Sequence, residues 1–151
     1  MSQDQTRIKD LVVNRRARHE YELHDTFEAG LALLGSEVKS LRAGKGNLQE
    51  AYVALQPDGA WLMQCHISPY THANRENHEP MRPRRLLLHT HEIAKLRKAT
   101  AEKGMTVVPL RLYLKGSRVK IEIAVARGKK LHDKRHALKE RDARREMERH
   151  R

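Results

Sequence analysis

The chain has 151 residues, with 31 Lys or Arg, 19 Asp or Glu and a formal net charge of +12. This length fits one compact domain with a polar extension, and so positive a chain is expected to bind a polyanion, with nucleic acid as the first choice. The single cysteine, Cys65, excludes a disulfide framework and a cysteine-based zinc site.

The sequence predicts no membrane segment. Its longest apolar run, residues 29–35, is far shorter than the roughly 20 residues that cross a bilayer. The N-terminus contains Asp4 and Asp10, whereas a mitochondrial presequence is nearly free of acidic residues. We therefore expect a cytoplasmic protein.

Alternation of apolar and polar residues predicts short strands in three hairpins, interrupted by two helices. In chain order these are a hairpin of 19–23 with 27–34, a helix over 36–42, a hairpin of 51–55 with 61–67, a helix over 91–103 and a hairpin of 110–114 with 119–125. The predicted turns lie at Asp25-Thr26, Pro57-Asp58-Gly59 and Gly116-Ser117. Residues 69–85, which contain three prolines, are predicted to form a loop.

An all-β domain can remove its sheet edges by closing into a barrel. We therefore expect residues 1–126 to form a mainly β domain, a small closed antiparallel OB-like barrel with short flanking helices. An open sheet packed on the helix over 91–103 is the alternative, which the pattern alone leaves open. In the last hairpin, one set of alternating apolar residues is predicted to share the buried face: Leu110, Leu112, Leu114, Val119, Ile121, Ile123 and Val125.

Residues 127–151 are predicted to form a basic C-terminal tail, with 11 Lys or Arg against 5 Asp or Glu. Its few apolar residues cannot bury a helix face against a core, and like charges repel at i,i+4 spacing, for example in Arg141 with Arg145. We expect this tail to be disordered when free and to become helical against a polyanion.

Two basic segments are candidates for RNA contact. Residues 14–19 are predicted to be extended, so that their arginines can bind phosphates, although a solvated arm is the alternative. Lys39, Arg42 and Lys45 surround a pair of glycines that lets another backbone approach closely. The chain has only six aromatic residues, which favours a folded RNA over stacked single-stranded DNA.

No catalytic or metal-binding pattern accompanies these basic segments. The ten histidines lack the spacing of known zinc motifs, and no acid, base and nucleophile can be assembled from the sequence. We therefore expect no catalytic residues, no metal and no cofactor.

Four ordered motifs resemble the small protein B family, whose members are also called SsrA-binding proteins: RRARHEYEL, FEAGLALLGSEVKSLRAGKGNL, RRLLLH and RGKKLHDKR. The resemblance extends from about residue 8 to the C-terminus. It implies an OB-like barrel that binds the tRNA-like end of transfer-messenger RNA and a tail that enters the empty mRNA channel of a stalled ribosome as a short helix. It also implies that the protein delivers alanyl-transfer-messenger RNA to such ribosomes.

Carried onto this chain, the resemblance implies two sets of site residues. The RNA-binding set is Asn14, Arg16, His19, Glu28, Lys39, Arg42, Lys45 and Leu87, with Tyr52 as an adjacent candidate. The ribosome-binding set in the tail is Gly128, Lys129, Lys130, His132, Asp133, Lys134 and Arg135, with His132 placed near the decoding site.

Glu28 and Leu87 each have a structural alternative. A carboxylate cannot bind phosphate, so Glu28 either accepts from base amino groups or ribose hydroxyls or orients a neighbouring arginine. The structural alternative is a strand residue that pairs with an arginine. Leu87 either packs against an unstacked base or fills the core.

The sequence therefore predicts a non-enzymatic, monomeric RNA-binding adaptor for ribosome rescue. A generic RNA-binding or RNA-chaperone module is the first alternative. A small RNA-processing enzyme is the second, and it would need a rigid acid, base or metal cluster.

Overall fold

The computed structural model describes residues 7–70 and 77–129. These residues form nine strands and three helices: β1 (Ile8–Val13), α1 (Arg15–Glu20), β2 (Tyr21–Leu31), α2 (Gly35–Arg42), β3 (Gly46–Asn47), β4 (Tyr52–Gln56), β5 (Gly59–Met63), β6 (His66–Ile67), β7 (Arg84–Leu87), α3 (Thr90–Thr100), β8 (Met105–Lys115) and β9 (Arg118–Gly128).

Seven strands form one antiparallel sheet in the order β1-β8-β9-β2-β7-β5-β4, and β3 pairs separately with β6. The edge strands are β1 and β4, and no ladder of the described chain joins them, although β4 lies close to β8. The mainly β class with a few short helices is confirmed. The closed barrel stays a prediction.

One large apolar core packs against one face of this sheet, and it includes Leu62, Leu86, Leu112, Ile121 and Ile123. Because successive side chains of a strand point to opposite faces, the residues between these core positions lie on the other face. We call this second face, which points away from the large core, the outer face.

The hairpin of β8 and β9 turns at Gly116-Ser117, as the sequence predicts, with Gly116 at φ +62. The expectation that Leu110 shares the face of Leu112 is wrong, because the pairing register shifts between Pro109 and Arg111. Proline has no N–H to donate to a ladder, and it occurs in strands at edges or bulges. Leu110 therefore packs into a second, smaller cluster on the outer face, together with Ala17, Val108, Ala124 and Ala126.

Residues 15–20 form helix α1, so the predicted extended arm is wrong. Ala17 is 2% exposed and packs against the outer face of β8 and β9 in the smaller cluster. The small alanine lets the helix lie close to the sheet, and its basic neighbours Arg15 and Arg18 remain exposed.

The predicted hairpin of 19–23 with 27–34 is also wrong, because β2 is one continuous strand. It pairs with β9 from Tyr21–Gly128 to Gly30–Lys120, with a bulge between Leu23 and Thr26. Asp25-Thr26 has turn-like polarity but contains no glycine or proline, and a bulge absorbs the extra residue without reversing the chain.

The hairpin of β4 and β5 forms around Pro57-Asp58-Gly59 as predicted, while Ile67 belongs to the separate strand β6. The predicted loop over 69–85 contains the start of β7, so that part of the prediction is wrong. Of that loop, residues 71–76 lie outside the described residues.

Both predicted helices are confirmed, with small shifts at their ends. In α2 the Glu37 carboxylate accepts the Leu34 N–H at 2.8 Å, and in α3 the Glu92 carboxylate accepts the His89 N–H at 3.0 Å. Only Leu96 of α3 is fully buried, which matches its narrow apolar stripe. Among the helices of the described ranges, none is long and apolar enough to cross a membrane.

A buried ion pair joins α2 to β7. Arg84 and Glu37 are both 0% exposed, and Arg84 Nε lies 2.5 Å from Glu37 Oε2. Arg82 reaches the other carboxylate oxygen at 2.6 Å, and Arg84 also donates to the carbonyl oxygens of Cys65 and Pro80. This cluster fixes α2 and the strand that carries Leu87 relative to each other.

Candidate nucleic-acid interface

Asn14 lies between β1 and α1 and is only 8% exposed. Its Nδ2 donates to the Pro109 carbonyl and its backbone N–H donates to the Leu110 carbonyl, both at 2.8 Å. Its Oδ1 is buried and has no hydrogen-bond partner. Since an unsatisfied buried acceptor costs about 1–3 kcal/mol, a bound donor at Oδ1 would be favourable.

Arg16 lines a cavity of about 320 Å³ between α1 and the start of β4, together with Asn14 and Tyr52. Its Nε lies 2.6 Å from Glu20 Oε1, and its Nη1 lies 2.8 Å from Glu50 Oε1. These contacts, the hydrogen bond to Glu20 first, raise the pKa of Arg16. Arg16 is therefore a fixed cation between two carboxylates rather than part of a free arm.

Lys39, Arg42 and Lys45 are exposed at the C-terminal end of α2 and in the turn that follows it. Cations are favourable there because the last carbonyl groups of a helix carry partial negative charge. The Lys39 ammonium lies 5.5 Å from the centroid of the Tyr70 ring. Gly44, in the turn, has φ +75, a conformation that glycine adopts without strain.

Gly46 brings this turn against β1. A Cβ at position 46 would lie 2.7 Å from Leu41 Cδ2 and 2.9 Å from Val12 Cγ2, so a larger residue there would displace these side chains. Gly46 also lines a cavity of about 230 Å³ together with Asn14, Arg15 and Arg16. The structure thus brings the two basic segments together along one side of the molecule.

Glu28 lies on the outer face of β2, and its partners are Tyr113 and Lys115 of β8. Tyr113 Oη donates to Glu28 Oε2 and Lys115 Nζ lies 3.1 Å from Oε1. The Tyr113 hydrogen bond lowers the pKa of Glu28 against the opposing effect of burial, and Lys115 adds to the lowering. Burial and the same hydrogen bond raise the pKa of Tyr113, so the phenol remains a donor.

A guanidinium stack extends this polar group. The Arg111 guanidinium lies 4.3 Å from the centroid of the Tyr113 ring, and Arg111 Nη1 lies 2.6 Å from Asp10 Oδ1. The hydrogen bond to Asp10, with the nearby Glu122, raises the pKa of Arg111. Glu28 therefore pairs with side chains of the sheet, as the structural alternative predicts. Its partners are a tyrosine and a lysine, not an arginine.

Leu87 is 55% exposed, so it does not fill the core. It lies opposite Gly30 of β2, where a Cβ would come within 3.2 Å of the Leu87 Cβ. Beside it is a groove of about 250 Å³ that Leu33, Val38, Arg118 and Lys120 help to line. An apolar floor beside two cations suits a nucleotide, whose base is apolar on its faces and whose phosphate is anionic.

The remaining predicted residues lie at the ends of their elements. His19 is exposed near the end of α1, and Gly128 ends β9 opposite Tyr21, with Lys129 following it. The other predicted tail residues lie outside the described residues: Lys130, His132, Asp133, Lys134 and Arg135.

Sequence reasoning missed Arg118 and Lys120 as neighbours of Leu87. The sequence did indicate that Lys120 is exposed, because the alternation in β9 puts it on the face of the sheet away from the core. Their proximity to Leu87 was not available, because it depends on β2 lying between β9 and β7.

Residues 7–70 and 77–129 contain no group of three or more His, Cys, Asp or Glu that could hold a metal ion. Cys65 is 0% exposed, and burial raises the pKa of its thiol to about 11. This thiol is a packed core group at neutral pH.

The sequence matches the family model described as SmpB protein over residues 11–151. An SsrA-binding protein of Thermosynechococcus vestitus is 55% identical over 143 residues, which are 94% of each chain. An SsrA-binding protein of Thermobifida fusca is 54% identical over 141 residues, which are 93% of this chain and 88% of that protein.

One similar solved structure is described as "tmRNA-SmpB: a journey to the center of the bacterial ribosome". It is 40% identical with a TM-score of 0.70, and the match covers 86% of this chain and 95% of that one. With a family model that matches nearly the whole chain and relatives that are more than half identical, this chain belongs to the SmpB protein family.

Proposed function

We propose that this chain is an RNA-binding adaptor that binds transfer-messenger RNA, or SsrA RNA, and delivers it to stalled ribosomes for trans-translation and ribosome rescue. The observation that carries the proposal is 55% identity to an SsrA-binding protein over 94% of the chain. The formal charge of +12 supports the proposal, because Lys and Arg side chains neutralise RNA phosphates.

The RNA-binding surface has two proposed parts. On the outer face of the sheet, Leu87 packs against an unstacked base, while Glu28, held ionised by Tyr113 and Lys115, accepts from base or ribose donors. The second part is the cavity beside α1, where Asn14, Arg16 and Tyr52 line the surface that contacts the RNA. The proposed cations around these parts are His19, Lys39, Arg42 and Lys45.

We also propose that the predicted domain over residues 1–126 is an OB-like barrel, closed where β4 approaches β8. The predicted tail over 127–151 is proposed as a separate part, whose first two residues, Arg127 and Gly128, still pair in β9 with Glu22 and Tyr21. The proposed ribosome-binding segment of the tail is Gly128, Lys129, Lys130, His132, Asp133, Lys134 and Arg135, which acts in the mRNA channel near the decoding site. The tail is proposed to be disordered in the free protein and to fold when rRNA phosphates relieve repulsion between its arginines.

As an adaptor the protein needs no catalytic residue, metal or cofactor, since its proposed work consists of binding two RNAs. We propose that it acts as a monomer in the cytoplasm, where ribosomes stall.

The experiment that tests this function is recovery of the protein from its cells, followed by sequencing of the attached RNA. Transfer-messenger RNA should dominate the bound fraction over its share of total RNA. Recovery of many RNAs in proportion to their abundance would instead support a generic RNA-binding or chaperone module.

A further inference from the structure

The outer face continues from Leu87 to a tryptophan and an arginine that the proposed surface does not include. Arg85 precedes Leu87 by two positions on β7, so both side chains point to the outer face about 6.8 Å apart along the strand. Trp61 of β5 lies directly opposite Arg85 in the ladder and points to the same face.

Arg85 is held in a defined position over the turn between β4 and β5. Its guanidinium carbon lies 5.6 Å from the centroid of the Trp61 ring, and its Nη2 donates to the Asp58 carbonyl. Gly59, at φ +140, leaves room for it, because a Cβ there would lie 3.2 Å from Arg85 Nη2. Trp61 Nε1 donates to Asp58 Oδ1 at 3.0 Å, which fixes the indole as well.

A second guanidinium reaches the same turn from α3. Arg97 Nη2 donates to the Gln56 carbonyl at 2.5 Å, so Arg85 and Arg97 each contact a backbone oxygen of the four-residue stretch 56–59. Across the described ranges neither arginine forms a salt bridge, whereas Arg16 and Arg111 each bind carboxylates. This end of the hairpin therefore has two guanidinium charges and one nearby carboxylate, Asp58, which is hydrogen-bonded to Trp61. The net positive charge favours an anion there.

We propose that Arg85, Arg97 and Trp61 form an additional RNA subsite, which binds the nucleotide next to the one at Leu87. The arginines bind its phosphate and the half-buried indole packs against its base. The inference rests on the proposed function, since it extends the same sheet face. It can be tested separately, because one of the added residues, Trp61, is fluorescent.

That readout is the fluorescence of Trp61, the one tryptophan in the chain. Titration of the full-length protein with the tRNA-like part of transfer-messenger RNA should quench Trp61 emission, with a midpoint that matches the dissociation constant from an independent binding assay. Unchanged Trp61 emission at saturating RNA would overturn the subsite.

Variants test the arginines separately. Arg85→Gln and Arg97→Gln should each weaken binding about tenfold, as expected for loss of a charge-assisted hydrogen bond. Each should also lower the slope of log affinity against log salt by about 0.7 to 0.9. Lys98→Gln is the matched control, because it removes one exposed charge from the same helix, and it should leave affinity within about twofold.

Arg85→Lys and Trp61→Leu separate charge from stacking. Arg85→Lys should keep the salt slope but lose part of the affinity, because an ammonium lacks the planar fork. Trp61→Leu should lower affinity at every salt concentration without changing the slope. Thermal melting of each variant tests whether the fold is retained.

Leu87→Asp distinguishes this inference from the proposed function. If Leu87→Asp abolishes binding while Arg85→Gln, Arg97→Gln and Trp61→Leu bind like the wild type, the subsite is wrong and the proposed face stands. If the wild-type protein does not bind this RNA selectively, the proposed function itself is wrong.

Discussion

At the scale of single residues, the polar groups of the outer face hold one another in defined charge states. Tyr113 donates to Glu28, and the Arg111 guanidinium stacks on the Tyr113 ring. Glu28 is therefore an ionised hydrogen-bond acceptor, and the neutral phenol of Tyr113 and the ammonium of Lys115 fix its position.

Tyr113→Phe should raise the pKa of the Glu28 carboxyl, because the hydrogen bond from Tyr113 is the largest cause of its lowering. In the variant Lys115 still lowers this pKa and burial still raises it, so the expected result is an increase. An NMR titration of the side-chain carboxyl carbons measures it. An unchanged Glu28 titration in the variant would show that the phenol does not control this carboxylate.

Cys65 should react very slowly with thiol reagents in the native protein at pH 7 to 8. Its thiol is buried and its pKa is raised to about 11, so little thiolate is present and little is accessible. The reaction should become fast in denaturant. Rapid stoichiometric labelling under native conditions would contradict this packing.

At the scale of elements, close approaches and one buried ion pair set how the helices meet the sheet. Gly46 lets the segment after α2 pack on β1, and the Glu37–Arg84 pair ties α2 to β7. These contacts position parts of the candidate interface: the first holds the turn that carries Lys45, and the second holds the strand that carries Leu87.

Gly46→Ala should destabilise the protein by about 1–3 kcal/mol, the usual cost of overpacking. The added methyl would lie within 3 Å of both Leu41 and Val12. Chemical denaturation measures the loss. Gly35→Ala is the matched control: nothing lies within 4 Å of a Cβ at that position, so its stability should be close to that of the wild type.

Acid should destabilise the protein through Glu37. Burial opposes its ionisation, yet hydrogen bonds from Arg82, the Leu34 N–H and Arg84 outweigh burial and lower the pKa of Glu37. Because the pKa of Glu37 is lower in the native state than in the unfolded state, its ionisation stabilises the fold. This stabilisation is complete above the unfolded pKa of about 4.3 and is lost as pH falls through the native pKa.

The test is Glu37→Gln against Glu92→Gln, which alters the corresponding first-turn acid of α3. Glu37→Gln should cost about 3–5 kcal/mol at neutral pH, because it leaves Arg84 buried without its counter-charge, and it should flatten the acid side of the stability profile. Glu92→Gln should cost about 1 kcal/mol or less. Equal effects from the two variants would contradict a special role for the buried pair.

At the scale of the whole molecule, two proposed tasks belong to two parts of the chain. The folded part carries the outer face and the cavity beside α1, while the proposed tail begins where β9 ends beside Tyr21. As a helix at roughly 1.5 Å per residue, the proposed tail would span about 35 Å, enough to reach well beyond residues 7–129.

Ending the chain after Gly128 should leave binding to isolated transfer-messenger RNA within about 1 kcal/mol of the wild type, as expected for independent sites. The same truncation should abolish peptide tagging on stalled ribosomes in a reconstituted translation assay. Full tagging by the truncated protein would refute the division of tasks. Lys134→Ala with Arg135→Ala should impair tagging without changing the melting temperature.

The sequence by itself determined the mainly β class, helices α2 and α3, and the hairpins around Pro57-Asp58-Gly59 and Gly116-Ser117. It also determined the basic character of the chain and the family motifs. These features have local signals, since periodicity, turn residues and charge can be read within a few neighbouring positions.

Only the tertiary structure decided the rest. The bulge at Leu110, the continuous β2 and the helix at Arg15–Glu20 depend on which strands pair and what packs on them. The contacts of the site join distant positions, with Arg84 and Glu37 47 residues apart and Tyr113 and Glu28 85 residues apart. No local pattern encodes such partners, because burial and strand order bring them together only when the chain folds.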